Sequence, residues 1–385
     1  MKGRFIMELQ SIKNDIDQID NELVKLFEKR LEKDLLITKY KDENKILVLD
    51  KNREREILTR IIEMVDPKLE SYTKILYSMI FSLSRQYQAM ANIESSLLEE
   101  RIQTALEKTP KQFPTKAVVA CQGVEGAYSQ IACDKLFSLP HIMFFNNFKG
   151  VFQAVEKGMC QYGILPIENS LYGSVTQVYD LMKQHNFHIA RSIKLKIDHV
   201  LLTKPGSKIS DIKEIFSHEQ AIGQCNNYLQ NMKNIKVTVC ENTAVAAELV
   251  ASSQRNDIAA LSSENCAELY GLEILSSNVQ DNGNNYTRFI CISKNLEIYP
   301  GAGKVSLILS VPHKPGSLFE MISKFSALGL NLTKMESRPI PGKDFEFMFY
   351  LDMDASIYND SVIKLLNQLS NNPSQFVFLG SYSEI

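Results

Sequence analysis

No proline precedes Pro67, and Ile12, Ile16, Ile19, Leu23 and Leu26 recur before it at alternating spacings of four and three. That alternation is the seam of a helix packed on other helices, and it predicts helix almost throughout residues 1–92. Gly3 is the only glycine in that stretch. The segment ENKILVLDKN (43–52) interrupts the pattern, with Asp50 placed to cap a second helix. A third helix follows Pro67 and sets Leu76, Ile80 and Leu83 on one face.

Beyond a polar stretch punctuated by Pro110 and Pro114, the periodicity changes. The short apolar runs AVVAC, QYGILPI, HVLLT, DIAAL and RFICIS alternate with amphipathic stretches of helical length. This predicts an α/β domain with a largely parallel sheet over about 115–295. From 303 onward the order reads as a small β-α-β-β-α-β unit. The expected layout is therefore multidomain: a helical domain at 1–95, a linker at 96–114, an α/β domain at 115–297 and an α+β domain at 303–381.

A formal net charge of −2 carries no basic footprint for nucleic acid, so an anionic ligand must be held by locally placed groups. The seven cysteines include no C-x-x-C pair, which argues against zinc and against a disulfide framework and for reduced thiols in the cytoplasm. No run approaches the length of a membrane span. GAGKV (301–305) is not a phosphate loop, because Ile298 and Val305 occupy its first glycine and its Ser/Thr positions. His218 has no metal-ligand partners at suitable spacing. No metal and no cofactor are expected.

Extending the first seam by four residues from Leu26 reaches Arg30, a guanidinium that must find an anion. An interhelical salt bridge would satisfy it; so would a ligand. Lys41 lies about 20° off the same face and about 16 Å along the axis, a separation that suits the two ends of a small dianion. Lys13 lies about 25 Å from Arg30 and about 100° around the helix, so it could join only from an antiparallel partner. On the third helix the apolar row Leu76, Ile80 continues as Ser84 and Gln88. Asp50, Arg53 and Glu54 add polar groups at the start of the second helix.

These residues resemble the all-helical chorismate mutase family over about residues 5–90. The resemblance implies an intertwined homodimer, or a higher homo-oligomer, with chorismate bound by Lys13, Arg30, Lys41, Asp50, Arg53, Glu54, Ser84 and Gln88. It assigns carboxylates to Arg30, Arg53 and Lys13, the ether oxygen to the catalytic pair Lys41 and Gln88, and a substrate hydroxyl to Glu54. Lys13 departs from the family's usual Arg and loses its bidentate fork.

Four stretches of the α/β domain are richer in small polar residues than packing needs: GVEGAYS (123–129), PIENSLYGSV (166–175), SHEQAIGQC (217–225) and YTRF (286–289). The first follows a strand and precedes a helix, as an anion-binding turn does, though a plain connecting turn would look the same. In this order the four are similar to the prephenate dehydratase family. That implies two subdomains of periplasmic-binding-protein type, with Thr287 as the catalytic donor in the cleft between them. Tyr128, Ser129, Glu168, Asn169 and Ser170 would form the prephenate wall, and Arg288 either binds a carboxylate or pairs within the fold. Val124 and Glu219 stand where the family often has proline.

From 303 onward a loop with Pro315-Gly316 opens an amphipathic helix and a later strand ends ESRP (336–339), and with these features the C-terminal unit resembles the ACT regulatory domain. The resemblance implies phenylalanine bound between two such units by Gly316, Ser317, Leu318 and Phe319 with Glu336, Ser337, Arg338 and Pro339. Ser317 and Phe319 replace the commoner Ala and Val. The expected function is a bifunctional enzyme taking chorismate to prephenate and prephenate to phenylpyruvate, inhibited by phenylalanine. Two alternatives stand beside it: an amino-acid-binding sensor with reduced catalysis, and arogenate as the second substrate.

Overall fold

The computed structural model describes residues 2–43, 51–91, 96–340, 342, 346–371 and 376–385. Helices α1 (Lys2–Glu43), α2 (Lys51–Ile62), α3 (Glu70–Ala91) and α4 (Leu97–Lys108) come first. Next are β1 (Lys116–Gln122), α5 (Tyr128–Leu136), β2 (Leu139–Phe145), α6 (Phe148–Glu156), β3 (Tyr162–Asn169), β4 (Gly173–Ser174), α7 (Thr176–His185) and β5 (His188–Lys196). After them run β6 (Val200–Thr203), β7 (Glu214–His218), α8 (Glu219–Gln224), α9 (Asn226–Asn231), β8 (Lys236–Cys240), α10 (Thr243–Ser252), β9 (Ile258–Ser262), α11 (Asn265–Tyr270), β10 (Glu273–Ser276) and β11 (Tyr286–Ser293). The chain closes with β12 (Lys304–Ser310), α12 (Ser317–Ser326), β13 (Asn331–Pro339), β14 (Phe347–Asp354), α13 (Asp360–Ser370) and β15 (Phe376–Glu384). The five apolar runs are all strands, and the β-α-β-β-α-β order from residue 304 is as expected.

The chain divides into two compact units. One holds Met1–Ser96 with Val311–Asn331 and Asp360–Asn371; the other holds Leu97–Ser310, Leu332–Asn359 and Asn372–Ile385. In the first, α1, α2, α12 and α13 all lie against α3. Beyond the part of α1 that reaches α3, the apolar seam is open: Ile12, Ile16, Ile19, Leu23 and Leu26 are each more than half exposed.

The second unit contains two sheets. The larger runs β13-β14-β12-β15-β5-β11-β3-β1-β2, with β4 attached to β3; the smaller runs β10-β6-β9-β7-β8. The expectation of a largely parallel arrangement is corrected. β11 lies antiparallel between β3 and β5, and β6 lies antiparallel to both β9 and β10. An apolar run records burial but not direction, which is why periodicity misses this. The linker expected at 96–114 is corrected too. It contains α4, whose Leu98, Ile102 and Ala105 are buried. Among the described residues, no helix is long and apolar enough to cross a membrane.

The C-terminal strands continue the larger sheet because β15 pairs with β5. Their close approach needs Gly380, whose φ is 145° and whose Cβ would sit 2.6 Å from the Ile189 carbonyl oxygen. Both the conformation and the space exclude a side chain. Gly380→Ala is expected to destabilise the second unit by about 2–4 kcal/mol, read as an earlier denaturant midpoint; an unchanged midpoint would mean the two strands can part without cost.

Candidate active sites

In the helical unit, α1 carries Arg30 onto α3. Its Nη1 donates to Asp34 Oδ2 at 2.8 Å and also to Ser84 Oγ, and the guanidinium lies over the Phe81 ring at 5.7 Å. One turn along α3, Gln88 Nε2 donates to the Asp34 carbonyl at 3.3 Å, and buried Thr38 donates to the same oxygen at 2.9 Å. From α2, Glu54 accepts from Arg85, while Arg53 Nη1 pairs with Glu56 at 3.2 Å. The structure thus gathers Arg30, Ser84 and Gln88 at one place on the α1–α3 contact. Lys13 is exposed towards the far end of α1. Asp50 and the side chain of Lys41 lie outside the described residues. Asp34, Thr38 and Arg85 were missed. Asp34 had a signal, since it stands four residues after Arg30 on the same helix.

The second unit holds a cavity of about 490 Å3 between strand ends and helix starts. Of the expected residues, Tyr128, Ser129, Asn169 and Thr287 line it. Tyr128 donates to the Asp198 carbonyl at 2.6 Å, and burial pushes its phenol well above the ordinary range. Ser129 donates to the Gln122 carbonyl. Ser174 and Gln220, from two of the polar stretches, line it too, as do Gln122, Thr176, Gln177, His199, Asn242 and Thr243, which lie outside those stretches. His199 is 2 % exposed, and burial lowers its pKa, so the ring is neutral near pH 7.

Thr287 stands opposite Asn169 in the β11–β3 ladder. The Asn169 amide is fixed by its neighbours: Oδ1 accepts from the Leu171 and Tyr172 backbone N–H groups at 2.9 and 3.0 Å. Its NH2 must therefore point the other way, donating to Asn285 Oδ1 at 2.8 Å and to Thr287 Oγ1 at 3.0 Å. A hydroxyl that accepts there keeps its own proton free to donate elsewhere.

Arg288 does not reach the cavity; of the two fates expected for it, it pairs within the fold, so it drops out of the prephenate-binding set. Successive strand residues face opposite ways, so Thr287 and Phe289 line the cavity while Arg288 turns from it. Its guanidinium donates to Asp352 and to Tyr382 Oη at 2.7 Å, with Glu384 at 3.0 Å and Glu168 at 3.7 Å. Burial alone would lower its pKa, but Tyr382 and Asp352 more than offset this and the group stays charged. Glu168 and Ser170 also lie off the lining. Glu168 pairs with Lys334 at 2.9 Å, and Ser170 donates to the Asn284 carbonyl at 3.0 Å.

The expected effector residues fall in two groups. Gly316, with φ of 86°, precedes α12, which Ser317, Leu318 and a 45 % exposed Phe319 open. On β13, Glu336 and Arg338 occupy the half-buried face, whereas Ser337 and Pro339 are exposed.

Sequence models of two families match the chain: chorismate mutase type II over residues 12–89 and prephenate dehydratase over residues 119–297. The bifunctional chorismate mutase/prephenate dehydratase of Aquifex aeolicus is 30% identical over 377 residues, 97% of this chain and 98% of that protein. The arogenate dehydratase/prephenate dehydratase 2 of Arabidopsis thaliana is 37% identical over 276 residues, 69% of this chain and 72% of that one. Among solved structures, the prephenate dehydratase of Arthrobacter aurescens in complex with L-Phe is 28% identical with a TM-score of 0.63, covering 69% of this chain and 89% of that one. With a relative of both activities aligned along nearly its whole length, the chain belongs to the bifunctional chorismate mutase/prephenate dehydratase family, enzymes that rearrange chorismate to prephenate and convert prephenate to phenylpyruvate.

Proposed function

We propose that the two reactions are divided between the Arg30 site of the helical unit and the Thr287 cavity of the second, each by the residues named below. Chorismate rearrangement is unimolecular and needs no acid, base or nucleophile. The protein helps by holding the folded conformer and stabilising the charge that grows on the ether oxygen. Arg30, oriented by Asp34 and Ser84, takes one carboxylate. Gln88 and Lys41 serve the ether oxygen, Glu54 the substrate hydroxyl and Arg53 a carboxylate, and Asp50 is a further proposed contact. Lys13 comes from a second copy of the chain, and the open apolar seam of α1 supports that homodimer. The residue boundaries proposed are 1–95 for the mutase, 115–297 for the dehydratase and 303–381 for an ACT regulatory domain. The seven cysteines are all unpaired, which supports a reducing, cytoplasmic setting.

In the dehydratase cavity the hard event is departure of hydroxide from the prephenate ring. The ring carboxylate leaves as CO2, its bonding electrons enter the ring, and the hydroxyl leaves as water once a proton reaches it. Thr287 supplies that proton's path, because Asn169 donates to its Oγ1 and leaves the O–H free to donate. The Asn169–Thr287 hydrogen bond is the observation that carries the assignment. Among the described residues no Lys or Arg lines the cavity. The substrate carboxylates are instead taken by the N-termini of α5, α7 and α10, each of which begins at the lining with Tyr128, Thr176 or Thr243. The two-sheet unit with its cavity is read as the two subdomains of a periplasmic-binding-protein-like fold.

Thr287→Ala is expected to lower phenylpyruvate formation at least about 100-fold while leaving the mutase rate unchanged, and Lys41→Ala to do the reverse. Assays of each step with its own substrate decide the matter; equal loss of both activities in either variant would sink the two-site assignment.

Phenylalanine is the proposed effector, bound by Gly316, Ser317, Leu318 and Phe319 together with Glu336, Ser337, Arg338 and Pro339. Support comes from the resemblance of both segments to the ACT domain and from the L-Phe complex of the Arthrobacter aurescens relative.

One observation favours arogenate as a further substrate of the cavity. Glu241 is the one carboxylate on its lining among the described residues, and arogenate differs by an ammonium group that a carboxylate can hold. The Arabidopsis relative carries both activities in its name. Glu241→Gln is expected to lower kcat/KM for arogenate about three- to tenfold with little change for prephenate. Equal effects on the two substrates would remove Glu241 as the determinant.

A further inference from the structure

The inward face of β13 is charged, where a strand packed on a domain usually turns apolar residues. Exposure alternates strictly along Asn331–Pro339, and the half-buried positions include Lys334, Glu336 and Arg338. Together they grip three segments beside the dehydratase cavity. Lys334 Nζ lies 2.9 Å from Glu168 Oε1 at the end of β3 and 2.9 Å from Ser174 Oγ on β4. Ser174 in turn donates to Glu336 Oε2 at 2.7 Å. Arg338 holds Asp180 on α7 through two bonds of 2.8 and 3.3 Å. Between these anchors runs the turn 173–177, every residue of which lines the cavity.

Inward charges also deter edge-to-edge pairing, and β13 ends its sheet. That role needs no partners, whereas here an acid, a hydroxyl and a second acid meet three successive inward residues in register. We infer that Lys334, Glu336 and Arg338 are positioning residues for the dehydratase reaction, holding the 173–177 wall in place. An amino-acid effector that takes Glu336 with its ammonium and Arg338 with its carboxylate must then release Ser174 and Asp180. Effector binding and a held wall therefore oppose each other, by the same factor in both directions. This second half rests on the effector reading above; the first half does not.

Two variants test it in the full-length protein. Lys334→Met is expected to lower dehydratase kcat about tenfold, with a smaller change in KM and none in the mutase rate, and Lys334→Arg to restore most of the loss. Unaltered dehydratase constants in Lys334→Met, or a loss that Lys334→Arg does not mend, would overturn the positioning role. Asp180→Asn frees Arg338 in advance. It is expected to tighten phenylalanine binding about two- to fivefold by calorimetry and, because one anchor of the wall is weakened, to lower dehydratase kcat about twofold, less than Lys334→Met does. If the wild type binds phenylalanine and Asp180→Asn binds it no better, the competition is refuted. If the wild type gives no binding heat, the effector reading itself falls and takes the competition with it, while the Lys334 pair still decides the positioning role.

Discussion

The buried guanidinium of Arg288 ties the second unit together. It leaves the strand one residue after Thr287 and meets Asp352 on β14 and Tyr382 and Glu384 on β15. Asp352 is fully buried and also accepts from Ser306 on β12. A charge taken that far from water is tolerable only with its partners present; removing one typically costs about 3–5 kcal/mol. Three of its four partners lie beyond residue 297, where the match to the dehydratase family ends. Cut there, the chain would keep Thr287 but leave the neighbouring Arg288 with Glu168 alone of those partners.

The two proposed sites answer the same problem, an anionic substrate, with opposite means. In the helical unit a full charge stands at the centre, and its own helix supplies Asp34 to aim it. In the cavity, helix starts and mostly neutral side chains converge instead, with Glu241 the one carboxylate among the described lining residues. The contrast follows from architecture. Three long helices offer mostly side chains along their flanks, since their backbone groups are spent on one another. A sheet flanked by many short helices brings several helix starts to one spot, with unspent N–H groups on each.

Much of this was legible in the residues. The four-three spacing of Ile12 to Leu26 gave α1, and the small polar residues of ENS and YTRF marked two strands that meet as neighbours. Arg288 was read with two possible fates because its partner Asp352 is 64 residues away, and no local pattern links them. The direction of β11 was hidden for a similar reason: pairing partners, not its own residues, decide it. The helix α4 was missed because prolines and lysines near its end read as a tether, although Leu98, Ile102 and Ala105 keep a helical spacing of four and three. The inward charges of β13 were in plain view as alternate residues of KMESR, but they mean nothing until the strand's buried face is known.

A cavity that grips by partial charges also lets go easily. Prephenate enters with two carboxylates, and phenylpyruvate departs with one, the other having left as gas. On this reading the product forfeits part of what held its precursor, and no lysine or arginine among the described lining residues has to be rehydrated as it goes. Turnover in such a site resists clogging by its own product, so control of flux must come from somewhere other than product accumulation.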